Sequence, residues 1–129
     1  MPRRDGPLEA LEHARGVLGG HAQAVVLDLE HHATPLSMTP SPTVFLAAAA
    51  RETKRIRLGT LLYLLPLYHP MRLYEELVML DHLSGGRLDI GVGRGISPME
   101  FDAYSVDFAK AETDFDHVFN VLDQGFTQD

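Results

Sequence analysis

The sequence predicts an α/β fold built on a parallel sheet, and three observations carry that expectation. Apolar-periodic segments alternate strictly, helix then strand, along the chain. The strand segments are nearly all apolar, as when helices cover both faces of a sheet. The polar exceptions gather where the strand segments end, which in parallel α/β folds is the side that carries function.

Residues 1–7 read as a loose tail, and residues 8–129 as a single domain. Leu8, Leu11, Ala14 and Leu18 recur at helical steps, and Gly19-Gly20 stops that helix. Ala24 to Leu29 is short, apolar and partly β-branched, a first strand running into Glu30-His31-His32. Ser41-Pro42 signals a helix start, with serine to cap and proline at the first turn, for a helix over Thr43 to Thr53. Ile56 to Leu64 is the second strand. His69-Pro70 opens a helix through Leu73, Leu77 and Leu80 that ends at Ser84-Gly85-Gly86. Leu88 to Gly93 is the third strand. A polar loop through Ser97-Pro98 then leads to a last helix, with Phe115, Val118, Phe119, Leu122 and Phe126 as its apolar face. A closed eight-stranded barrel takes roughly 250 residues. The chain has 129, so three strands make either a small open sheet or part of something larger.

Composition removes several function classes. Eleven basic against eighteen acidic residues give a net charge of -7, which disfavours a nucleic-acid partner. There is no cysteine, which excludes disulfides, thiolate zinc sites and a cysteine nucleophile. The longest apolar run, Leu61 to Leu67, is too short to span a bilayer, and the N-terminus leads into no secretory h-region. A cytoplasmic protein without membrane contact is the expectation.

The candidates for chemistry lie at the strand ends. Adjacent on an extended segment, His31 and His32 should point to opposite sides, so at most one faces a site. A histidine there can move protons near neutral pH or stabilise developing negative charge, and an ordinary surface histidine is the bland reading. Glu30 with one histidine is too few ligands for a metal. Gly91-x-Gly93-x-Gly95 lacks the spacing of a dinucleotide fingerprint, because position 96 is isoleucine and Pro98 interrupts the helix expected there. These glycines instead let a planar ligand or a neighbouring backbone come close. Arg94 is placed to meet an anion such as phosphate, or to pair with Glu100 or Asp102 at the surface. Ala47 to Ala50 permits close helix contact.

Several motifs together resemble one family. They are Glu30-His31-His32, Ser41-Pro42-x-x-Phe45-Leu46-Ala47-Ala48-Ala49-Ala50, Arg55-Ile56-Arg57-Leu58-Gly59-Thr60, Leu65-Pro66-Leu67-Tyr68-His69-Pro70, the stretch Glu75-Glu76-x-x-Met79 to Leu88, and Gly91-Val92-Gly93-Arg94-Gly95. The chain is similar, from about Leu8 to Phe126, to the bacterial luciferase-like flavin monooxygenases. The resemblance implies a partial (β/α)8 barrel, with strands two to four of the family count and a truncated, single incomplete domain over 8–129. It implies reduced FMN, or in some members a deazaflavin coenzyme, reacting with oxygen to oxygenate a small organic substrate. It would place His31 beside the flavin as the catalytic histidine. Thr60, Leu61 and Leu62 would form an apolar shelf under the ring, and Arg94 would lie near the flavin phosphate. It also implies a homodimer through helices 43–53 and 71–84. Luciferases proper have Cys-Arg-Gly where this chain has Gly93-Arg94-Gly95, which points to general oxidation rather than light emission. They have a basic residue where this chain has Glu112. The alternative in another class is a non-catalytic barrel remnant that acts as a dimerisation module. A metal-dependent barrel hydrolase is a third reading.

Overall fold

The computed structural model describes residues 25–33 and 39–127. The expected tail and the helix over Leu8 to Leu18 lie outside the described residues. The described elements are β1 (Val25–Leu29), α1 (Pro42–Glu52), β2 (Arg57–Leu64), α2 (Pro70–Ser84), β3 (Leu88–Asp89), β4 (Val92–Gly93), α3 (Pro98–Ala103) and α4 (Ala111–Thr127). Single 3-10 turns precede α2 at Leu65–Leu67 and α4 at Phe108–Lys110. The strand order is β1-β2-β3, β4 also pairs with β2, and every pairing is parallel. This is the alternating α/β architecture that the sequence predicts.

Local chemistry explains most boundaries. Pro42 and Pro70 stand at the first turns of α1 and α2, where the missing N–H costs nothing. Ser41 occupies the N-cap position but makes no side-chain cap bond, so proline rather than the serine hydroxyl marks that start. At the end of α2, Gly85 takes a left-handed conformation with φ 69°. The Gly86 amide reaches back to the Asp81 carbonyl at 3.0 Å, which satisfies a carbonyl the helix leaves open.

Two apolar clusters fix the helices on the sheet. Leu46, Ala49 and Ala50 of α1 pack with Leu58 and Leu80. Leu73 and Leu77 of α2 pack with Tyr63, Leu65, Val118 and Leu122. The buried positions of α2, Leu73, Leu77, Leu80 and Ser84, follow three- and four-residue steps and form one stripe.

Leu58 and Tyr63 both face helix clusters although they are an odd number of residues apart. Strict alternation along a strand forbids this. The register supplies the reason: Asp28 pairs with Thr60 and Leu29 with Leu62, so Leu61 is an extra residue in β2, a bulge.

Three expectations need correction. The third strand, expected as Leu88 to Gly93, is two short segments separated by Ile90-Gly91. Gly91 sits against the bulge: a Cβ there would lie 2.4 Å from the Leu61 carbonyl oxygen. It is backbone that approaches the glycine, and the Tyr63 amide donates to Gly91 O at 2.7 Å. The polar loop after Gly95 contains α3, and Pro98 opens this helix instead of interrupting it. The apolar face of α4 is buried only at Val118 and Leu122. Phe119 and Phe126 stay 43% and 48% exposed, because α4 packs on α2 and the 3-10 turn before it along only one flank.

Candidate functional site

The carboxyl ends of β1, β2 and β4 converge on a cleft of about 300 Å³, lined by Glu30, His31, Leu62, Leu64, Gly93, Arg94, Gly95, Ile96 and Glu100. Its floor is a buried polar network whose members come from four elements.

Glu30 follows the last residue of β1, where the ladder stops, and its side chain takes over the bonding. Its Oε2 accepts from the Leu64 amide at 2.6 Å. Its Oε1 accepts from the Tyr68 hydroxyl and meets His32 Nε2 at 2.8 Å. Glu30 is 1% exposed, and a carboxylate that deep needs such donors. Burial, and then the Glu30 carboxylate, push the Tyr68 phenol far above the usual tyrosine range, so it remains a donor.

His32 is buried between two partners, with Nδ1 2.8 Å from the Tyr104 hydroxyl and its ring edge-on to that tyrosine. Burial, with a smaller effect from Glu30, raises the Tyr104 phenol as well. His31, its neighbour, turns the other way. Its side chain is 41% exposed, lines the cleft, and has Nδ1 3.3 Å from Glu100 Oε1. The two histidines thus divide into a cleft residue and a buried strut.

Glu100 stands in the first turn of α3 and is 3% exposed. Its Oε1 also accepts from the His32 amide at 2.8 Å. α3 is seated by Phe101, fully buried and edge-on to Phe108. Gly95 makes that seat: it has φ 83°, and a Cβ there would lie 2.9 Å from the Phe101 ring.

The expected site residues do not all converge. His31, Leu62 and Arg94 share the cleft. Thr60 does not line it: this residue is 5% exposed, and its hydroxyl is spent on Gly91, donating to the carbonyl at 3.0 Å and accepting from the amide at 3.2 Å. Leu61, the bulged residue, is 47% exposed and also lies outside the lining. Arg94 approaches Glu112 at 3.9 Å, not Glu100 or Asp102, and both partners are largely exposed. Glu100, Tyr104 and Tyr68 are the residues that sequence reasoning missed. A signal existed for Glu100, since Ser97-Pro98 repeats the helix-start pattern of Ser41-Pro42. Among the described residues no group of three or more His, Asp or Glu side chains is arranged to hold a metal ion. No described helix is long and apolar enough to cross a membrane.

The chain is similar to known proteins in sequence and in fold. The family described as Luciferase-like monooxygenase matches residues 24–129. An uncharacterized protein, y4wF, of Sinorhizobium fredii is 50% identical over 78 residues, which are 60% of this chain and 23% of that protein. The oxygenase component of a flavin-dependent trigonelline monooxygenase from Acinetobacter baylyi is 42% identical over 73 residues, 57% of this chain and 20% of the relative. In structure, the oxygenating constituent of 3,6-diketocamphane monooxygenase from Pseudomonas putida, solved with FMN, superposes with a TM-score of 0.81 at 22% identity. That match covers 95% of this chain and 33% of the other. The chain spans about a quarter or less of these curated relatives.

Proposed function

We propose a flavin-dependent oxygenation for the cleft, on the premise that the chain belongs to the luciferase-like monooxygenase family. The observation that carries the reading is the convergence of His31, Leu62 and Arg94 at the carboxyl ends of parallel strands. A reduced flavin mononucleotide supplies electrons to oxygen when bound, and the substrate is a small organic molecule.

The residues present fit such a group. A flavin offers a flat, largely apolar ring and an anionic phosphate. The cleft offers an apolar wall from Leu62, Leu64 and Ile96, one guanidinium from Arg94 and one half-exposed imidazole from His31. Leu62 holds the ring, and Leu61, outside the lining, takes no part in that shelf. Thr60 acts one step back, tying Gly91 to the bulge. Arg94 takes the phosphate, and Glu112 beside it competes for that charge. His31 holds or moves a proton at the reacting edge. FMN is the flavin proposed, since FMN accompanies the diketocamphane enzyme of the same fold; a deazaflavin coenzyme is the alternative.

Val44, Met71, Met79 and Leu83 leave α1 and α2 with side chains 50–71% exposed, which supports a homodimer through these helices. Sedimentation at tens of micromolar should show self-association, and clean monomer would count against it.

The direct test is titration of FMN into the 129-residue chain. Among the described residues the sheet has two open edges. The expected dissociation constant is therefore on the order of 100 μM or worse, a binding energy below about 6 kcal/mol. No quenching of flavin fluorescence at millimolar FMN would overturn the flavin reading. Micromolar binding would show that the described walls suffice.

A further inference from the structure

We infer that Glu100 is a positioning residue for His31, holding the imidazole with its proton on Nδ1 and leaving Nε2 as the ring's acceptor in the cleft. The inference rests on the flavin reading only for what Nε2 acts upon. The positioning itself follows from three features of this chain.

First, Glu100 is buried and reaches both histidines at the end of β1. It is 3% exposed, and its contacts among the described residues are with N–H groups of the β1 terminus. A carboxylate in that setting accepts only. The His32 amide donates to Oε1 at 2.8 Å, and His31 Nδ1 lies 3.3 Å from the same oxygen. For a neutral His31 ring, this contact is made when Nδ1 carries the proton, so Nε2 has a lone pair. Which ring nitrogen is protonated is set by the hydrogen bond that the other partner supplies. A neutral histidine side chain in water prefers the opposite, Nε2–H form, so Glu100 has a preference to reverse.

Second, one oxygen holds both the backbone of residue 32 and the ring of residue 31. The strand terminus and the imidazole are thereby tied to a single point on α3. His32 contributes nothing to this grip through its ring, whose two nitrogens are taken by Glu30 and Tyr104.

Third, the carrier is itself well seated. Phe101, next to Glu100, is fully buried against Phe108, and Gly95 clears the space its ring occupies. Both Glu100 and His31 line the cleft, so the ring nitrogen left over is presented where a ligand would sit.

The test reads the tautomer directly. Long-range proton–nitrogen correlation spectra of the nitrogen-15-labelled chain, near pH 8 where ordinary imidazoles are neutral, report which nitrogen of each ring is protonated. Seven histidines are present, and the loss of one ring system in His31→Asn assigns His31. The native chain should show Nδ1–H at His31. Glu100→Gln, whose amide oxygen still accepts, should keep it. Glu100→Ala should shift the ring to the Nε2–H form while His32 keeps its own pattern. An Nε2–H ring in the native chain, or an unchanged tautomer in Glu100→Ala, would overturn the inference. If Glu100→Ala does not fold, the native spectrum decides alone: Nδ1–H upholds the positioning and Nε2–H removes it. FMN titration of the same samples tests the function separately, because absent flavin binding with Nδ1–H in place defeats the flavin reading and leaves the positioning standing.

Discussion

The two ends of the same sheet both carry charged side chains in crowded surroundings, and they use them differently. At the amino end, just before β3, Arg87 spends its guanidinium largely on main-chain oxygens. It donates to Ser84 O at 2.6 Å, Ile56 O at 2.7 Å, and Ala50 O and Thr53 O at 3.1 Å, with one further bond to the Thr53 hydroxyl at 3.0 Å. These carbonyls end α1 and α2 or lead into β2, so one cation satisfies acceptors that the helices leave open. At the carboxyl end the buried charges are carboxylates, Glu30 and Glu100, and their partners include side chains that carry rings and hydroxyls. One imidazole of that set is left half-exposed in a cleft. A group wholly taken up by backbone can only hold the fold. A group whose partner retains a second, open nitrogen can also do chemistry. The division matches the general assignment of stability to the amino face and function to the carboxyl face of parallel barrels.

The largest expected effect breaks the amino end. Arg87→Leu removes five hydrogen bonds and leaves carbonyls of both helix ends without donors. It should destabilise the chain by about 3 kcal/mol, read from urea midpoints. A loss under about 1 kcal/mol would show that water replaces the guanidinium and that this end is not the structural one.

A middle-sized effect sharpens the carboxyl end. Tyr68→Phe deletes a donor to buried Glu30 and should cost about 1–2 kcal/mol near neutral pH. The variant also has a pH signature. The folded phenol titrates well above its ordinary value, first because it is buried and then because Glu30 is negative. The unfolded chain releases that proton near pH 10, as an ordinary tyrosine does. Above that pH the unfolded state binds fewer protons than the folded one, so stability is full below about pH 10 and falls as pH rises. Tyr68→Phe should flatten that alkaline decline. An equal slope in the variant would shift the cause to other groups, Tyr104 first among them.

The smallest effect belongs to the ion pair between Arg57 and Asp89, again at the amino end. Their contact is bidentate, yet both side chains are more than 40% exposed. The hydrogen bond from Arg57 holds the Asp89 carboxyl below the usual aspartate range. Its contribution is therefore present above the ordinary carboxylate pKa and is lost as pH falls through the lower folded value. Asp89→Asn should move the melting midpoint by no more than about 2 °C, because exposed pairs are screened. A larger shift would mean that this pair, and not Arg87 alone, anchors the amino end.

By itself the sequence determined what depends on neighbours a few residues apart. Pro42, Pro70 and Gly85-Gly86 punctuate helices through their own backbone limits. The stripe Leu73, Leu77 and Leu80 repeats at the helical period, so α1, α2 and the first two strands were legible within a residue or two. The opposed directions of His31 and His32 follow from extended backbone alone. Tertiary structure decided the rest. The bulge at Leu61 appears only in the pairing of β1 with β2, where Gly91 also comes close, and no local pattern records either contact. It is why Thr60 serves Gly91 rather than the cleft. Glu100 looked like a surface partner for Arg94 because its real contacts are with His31 and His32, 69 and 68 residues earlier. A carboxylate's role is set by which donors reach it after burial, and sequence spacing carries no trace of donors that arrive from another strand.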